Sequence, residues 1–159
     1  MELLGVQVEM PANTPMVMLR EVDDRARVLP IFIGQYEASA IHHATEGIVP
    51  PRPLTHDLAV TVISTLGGTL ERVVITEVRE HTFYAELHIR TTSGETIVSS
   101  RPSDAIALAV RVDAPIFAEE ALLDEAGVAV TPDDEGDPEA ILDEFRDFLD
   151  DVTPDDFAS

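Results

Sequence analysis

The 159-residue chain predicts an α+β domain of two βββα units, antiparallel meanders with packed helices, followed by an amphipathic C-terminal helix. Three observations predict it. Leu4, Val6, Val8 and Met10 alternate with Gly5, Gln7 and Glu9, the period of two that sends apolar side chains to one face of a strand. The run from Ala105 to Val110 is apolar on every side, which demands a helix buried all round. The pattern also recurs 67 positions on, where Glu37-Ala38-Ser39-Ala40-Ile41 falls on Asp104-Ala105-Ile106-Ala107-Leu108, Val6 and Val8 on Val73 and Ile75, and Met16 and Met18 on Phe83 and Ala85. A period this long, seen twice, reads as an internal duplication about a pseudo-twofold axis, since a solenoid needs three or more repeats.

Each element has a local cause. Met16, Met18 and Arg20 alternate with Val17, Leu19 and Glu21 as a second strand, after a turn from Pro11 to Pro15. Asp23-Asp24 turns the chain into a third strand, Val28 to Ile33, which Gly34 ends. Gln35 to Glu46 reads as a helix stopped by Gly47 and Pro50-Pro51. A second helix follows Arg52-Pro53-Leu54-Thr55-His56-Asp57 with Thr55 as N-cap, its Leu58, Val62 and Leu66 recurring every fourth residue as far as Gly67-Gly68. In the second unit Phe83, Ala85, Leu87 and Ile89 face one way, and Thr82, Tyr84, Glu86, His88 and Arg90 the other. Pro102 holds Arg101 extended, Ser103 serves as N-cap and Asp104 meets the positive end of the dipole, so the central helix starts at a defined place. Ala114 to Ala118 is a short strand and Glu119 to Ala126 a short helix ended by Gly127. Residues 1–130 form the main domain. Residues 131–159 are an acidic linker and a helix opened by Asp137 and Pro138, with Ile141, Leu142, Phe145, Phe148, Leu149 and Val152 on one face.

Composition excludes several classes of chemistry. The chain has no Cys, so disulfides, thiolate metal sites and a cysteine nucleophile are ruled out. No run approaches the roughly 18 apolar residues of a membrane span, and no leader-like segment opens the sequence, so a cytoplasmic protein without membrane contact is expected. The net charge is −21, and 12 of the 31 acidic residues lie after residue 130. Such a field repels nucleic acid unless Arg residues cluster locally. All ten basic residues are Arg.

Two helix starts carry the best candidate chemistry: Arg52, His56 and Asp57 at one, Arg101, Ser103 and Asp104 at the other. An Arg beside free helix amides favours an anion such as phosphate; the same residues also read as ordinary cap chemistry. Gln35, Ser39, His42 and Glu46 share a polar stripe, in which His42 and Glu46 provide two metal ligands, too few for a site. Glu86, His88, Tyr84 and Arg90 read as an acid/base cluster or as a solvated sheet face.

Leu29-Pro30-Ile31-Phe32-Ile33-Gly34-Gln35-Tyr36-Glu37-Ala38, Pro51-Arg52-Pro53-Leu54-Thr55-His56-Asp57-Leu58, Arg101-Pro102-Ser103-Asp104-Ala105 and Pro115-Ile116-Phe117, in this order, resemble the bifunctional nuclease domain family over about the first 130 residues. The tail is similar to that of actinobacterial members. The resemblance implies a homo-oligomer that hydrolyses phosphodiester bonds in DNA and RNA, assisted by a divalent metal, Mg or Mn. Hydrolysis then needs water activation and metal binding from His56, Asp57, Asp104 and Glu37, and phosphate binding by Arg52, Arg101 and Ser103. The competing reading is a non-catalytic regulatory or ligand-binding oligomer whose acidic C-terminal helix recruits a partner.

Overall fold

The computed structural model describes residues 1–9, 13–23 and 25–129. The turn at residues 10–12, Asp24, and the linker and amphipathic helix expected after residue 130 lie outside the described residues. Three strands, β1 (Glu2–Glu9), β2 (Thr14–Arg20) and β3 (Val28–Phe32), form an antiparallel meander followed by helix α1 (Gln35–Thr45). Helix α2 (Thr55–Thr65) leads into a second meander of β4 (Thr69–Arg79), β5 (Thr82–Thr91) and β6 (Gly94–Ser100), followed by α3 (Pro102–Val112). Strand β7 (Ile116–Ala118) then joins β4 in parallel, and α4 (Glu120–Ala126) packs beneath it.

Val17, Leu19, Leu29 and Ile31 from one sheet and Val73, Ile75, Ala85 and Leu87 from the other enclose the main core around α3, and Met16, Met18, Val28 and Val128 form a second, smaller cluster. From Ala105 to Ala109 every residue of α3 is buried, as its uniformly apolar sequence requires. The face of β5 expected to be apolar, Phe83, Ala85, Leu87 and Ile89, packs on this core. Arg27 ties the two halves together: it donates to buried Glu21 on its own side and to Glu120 and Asp124 on α4.

The offset of 67 holds for α1 and α3, whose bounds differ by that number at both ends, but it fails for the middle strands. Gln7 pairs with Met16, whereas Val74 pairs with Glu86; Gly5 pairs with Met18, whereas Arg72 pairs with His88. Met16 and Met18 therefore match Glu86 and His88, an offset of 70, and not Phe83 and Ala85. The reason is facial. A slip of three residues turns every side chain of a strand to the opposite face, and only the offset of 70 puts Val17 and Leu19 on the same side of their sheet as Leu87 and Ile89. Both hairpins shift register at equivalent places, between Leu3 and Gly5 and between Leu70 and Arg72. The second hairpin is the longer one, closing at Arg79 and Thr82 through Glu80 and His81, both with positive φ as a two-residue turn requires.

Two cap assignments also change. Arg101 is the N-cap of α3, with Pro102 at the first helical position and Ser103 buried one residue further in. Leu54, not Thr55, is the N-cap of α2; its amide donates to Asp57 Oδ2 at 2.8 Å, one half of a capping box.

Candidate functional site at the helix N-termini

The first turns of α1, α2 and α3 converge. Arg101 donates from Nε to Asp104 Oδ2 (2.7 Å) and from one terminal nitrogen to Glu37 Oε1 (3.0 Å) and Asp104 Oδ1 (3.2 Å). His56 Nε2 lies 2.9 Å from Asp104 Oδ1. Four of the residues singled out from the sequence, Glu37, His56, Arg101 and Asp104, thus meet although they are dispersed over 68 positions of chain. Each arrives by a separate local device. Pro102 starts α3 so that Asp104 projects from its first turn. Gly34 precedes α1 and leaves room for Glu37: a Cβ at position 34 would lie 2.3 Å from Glu37 Oε2. Leu54 begins α2 such that His56 reaches across to α3.

The electrostatics fix the protonation of the central carboxylate. Burial alone would raise the pKa of Asp104, but hydrogen bonds from Arg101 and His56 outweigh it and hold the group below its ordinary value. Asp104 is therefore ionised near neutrality and accepts the Nε2 proton of His56, which leaves Nδ1 as the free nitrogen when the ring is neutral. Arg101 is 60% exposed, so its remaining donors face solvent.

Beside Arg101 lies a cleft of about 170 Å³ bordered by Gly34 and Ile33 at the start of α1, Pro102 and Ser103 at the start of α3, and His81 and Phe83 on the β4–β5 hairpin. Neither helix has a side-chain cap at this end. First-turn amides of both helices thus lie at one opening, where Glu37 Oε2 already approaches the start of α1; helix starts of this kind favour an anion. The extra length of the second hairpin carries His81 to this cleft.

The remaining predicted site residues go elsewhere. Asp57, next to His56, turns to the far end of α3, where Arg111 Nε donates to it at 2.6 Å; this bond holds its carboxyl below the usual range. Arg52 is exposed in the turn before α2 and has no ion pair among the described residues. Sequence reading missed Arg111, whose signal was a lone charge in the last turn of an otherwise apolar helix. His88 is buried on the outer face of β5 between Arg72, Glu86 and Glu95, a closed ionic network. His42 and Glu46 are exposed. Among the described residues no three His, Asp or Glu side chains are grouped to hold a metal ion. At the helix starts Glu37 and Asp104 are both engaged by Arg101, so the donor set does not fit a resident metal.

This combination defines an α+β protein in which Glu37, His56, Arg101 and Asp104 meet at three helix starts. The chain belongs to the bifunctional nuclease domain family, whose model matches residues 17–131. It is 46% identical over 162 residues to "Uncharacterized protein MT1877" of Mycobacterium tuberculosis strain CDC 1551 / Oshkosh, a match covering 98% of this chain and 95% of the relative. "Uncharacterized protein Rv1829" of strain ATCC 25618 / H37Rv matches with the same identity and coverage. Among the described residues no helix is long and apolar enough to cross a membrane.

Proposed function

We propose that this chain hydrolyses phosphodiester bonds in DNA and RNA without strong sequence specificity at the Glu37–His56–Arg101–Asp104 cluster. One observation carries the reading: an imidazole anchored 2.9 Å from an ionised carboxylate stands beside an exposed guanidinium at two uncapped helix starts. Arg101 and the amides of α1 and α3 bind a phosphate, a group that DNA and RNA share. His56 Nδ1 takes the proton of a water as its oxygen bonds to phosphorus; the opposite P–O bond breaks, and the departing oxygen takes a proton from solvent. Asp104 holds the ring in the tautomer this requires and stabilises the imidazolium that forms. The family membership implies help from Mg or Mn, which would supply Lewis acidity. The chain's own residues offer it at most Glu37 and Asp104, so the derived roles are phosphate binding and proton transfer.

The second reading, a non-catalytic ligand-binding or regulatory module, is favoured by the charge of the same cluster: two carboxylates face one Arg. Cleavage of end-labelled single-stranded DNA and RNA, with and without Mg or Mn, separates the two. Cleavage by the wild-type chain that falls in Arg101→Gln and His56→Gln supports hydrolysis. A wild-type chain that cleaves neither substrate supports the module.

The two βββα units are proposed to be a duplication about a pseudo-twofold axis, tested by superposing residues 4–46 on 71–113 with the middle strands taken at the longer offset. Cytoplasmic residence, and docking of the acidic tail on its own or a neighbouring subunit, also belong to this reading. So does a homo-oligomer formed through α2. Leu58, Val62 and Leu66, the stripe that recurs every fourth residue, are 53, 46 and 81% exposed, Leu54 before them is 42% exposed, and no residue of α2 is fully buried. Asp57, the single carboxylate of this helix, is already paired with Arg111, so a second copy can approach here without the repulsion that the rest of so acidic a chain imposes. Sedimentation of the wild type as an oligomer, and of Leu58→Asp/Val62→Asp as a monomer, is the expected result.

A further inference from the structure

Helices α1 and α3 lie side by side and point the same way, because Glu37 and Arg101 meet at their starts and both last turns border one cavity of about 370 Å³. The segment linking α1 to α2 borders this cavity with Val49, Pro50 and Pro53, and Val110 contributes from α3. Three polar groups interrupt the apolar lining. Arg111, whose side chain is only 9% exposed, is held by Asp57 and by the Ala107 carbonyl, through Nε and one terminal nitrogen. Its other terminal nitrogen has no hydrogen-bond partner among the described residues. Asp57 keeps acceptor capacity beyond its two bonds. His43 Nδ1 is buried with no hydrogen-bond partner among the described residues, an arrangement that folding avoids unless something else meets the group.

We propose that this cavity binds a nucleobase. The C-terminal ends of two helices present partial negative charge here, which disfavours an anion, and Arg111 with Asp57 carries no net charge. The Arg111–Asp57 pair, neutral as a unit, suits an uncharged ligand that hydrogen-bonds to both. A largely apolar lining selects a flat ring, and a donor from Arg111 with an acceptor from Asp57 selects a ring whose edge carries both donors and acceptors. Purines and pyrimidines have that edge. The proposal rests on the phosphodiester reading for its biological sense, and the geometry ties the two together. From Asp104 to Arg111 along α3 is seven residues, about 10 Å at 1.5 Å per residue. That separation suits the base of a nucleotide adjoining one whose phosphate sits at the helix starts. One pair of helices thus offers its positive ends to phosphate and its negative ends to a neutral base.

The test uses the full chain and nucleosides, which carry no phosphate. Adenosine, guanosine, cytidine and uridine are titrated at millimolar concentration while amide resonances are followed by NMR. Saturable shifts at His43, Val49 and Arg111 are expected, with amides around Arg101 unmoved. His43→Phe adds bulk at the cavity wall and removes the unpartnered nitrogen; it should weaken the shifts while the melting temperature holds or rises. Val49→Trp, an exposed rim position, is the second variant and should weaken binding without affecting the fold. The absence of saturable shifts for all four nucleosides, or shifts that persist in both variants, overturns the assignment. Nucleoside binding by a chain that cleaves no nucleic acid would sustain the base site and remove the hydrolytic reading; cleavage without nucleoside binding would do the reverse.

Discussion

Replacing Asp104 by Asn removes one charge at nearly constant volume, and the contacts of the carboxylate set the size of the loss. Asp104 accepts from His56 at 2.9 Å and from Arg101 at 2.7 and 3.2 Å. A hydrogen bond to a charged group contributes roughly 1.5 to 3 kcal/mol in net terms when shielded. Arg101 is mostly exposed, however, so its pair with Asp104 belongs at the solvated end, below about 1 kcal/mol. With the weakened His56 contact the total comes to about 1 to 2 kcal/mol, a fall of about 2 to 8 °C in melting temperature. The effect on rate should be larger. The amide nitrogen of Asn can donate to His56 Nε2, which would move the ring proton to Nδ1 and remove the lone pair that accepts a proton from water. Loss of a positioned general base costs about 100- to 10,000-fold. The assay is initial-rate cleavage of a fluorescent oligonucleotide beside a thermal melt of the same preparation. Near wild-type cleavage by a folded Asp104→Asn chain would refute the reasoning. His56→Gln guards against misfolding, because it keeps Asp104 and Arg101 paired while removing the base.

Ile106→Ala, at a fully buried position of α3 between the two sheets, should destabilise the domain by about 2 to 5 kcal/mol in urea unfolding, with no change in the site residues. Asp57 and Asp104 both have folded pKa values depressed below the ordinary 3.8. Their stabilisation is complete above that value and is lost as pH falls through the folded values, so melting temperature should be flat from neutrality to about pH 5 and drop steeply below about pH 4. In Asp57→Asn/Asp104→Asn the drop should be shallower. Gly34→Ala forces Glu37 away from the start of α1; cleavage should then change, at nearly constant melting temperature, because Arg101 loses one of its two carboxylate partners.

Much of the fold was legible because its causes are local. Alternation located the strands, Gly and Pro marked their ends, and the all-round apolar run could only be a central helix; α3 indeed has Ala105 to Ala109 buried. The repeated pattern located α1 and α3 correctly, yet it misaligned the middle strands, since an offset read along the chain cannot register that the second hairpin is longer and the loop after it shorter. Pairing across a sheet decides that, through which face each side chain must take. The α2 stripe shows the same limit from the other side: a four-residue period declares an apolar face but not whether the domain or another molecule covers it. At the site, the residue types were evident from the sequence and their grouping was not. His56 and Asp57 are neighbours in the chain, but they face opposite ends of α3, one joining Asp104 and Arg101, the other Arg111. The sequence by itself determined the elements, the absence of cysteine chemistry and the presence of paired Arg and carboxylate at helix starts. Only the tertiary structure decided which of those starts converge, because that depends on how three helices pack, a sum of contacts between residues tens of positions apart.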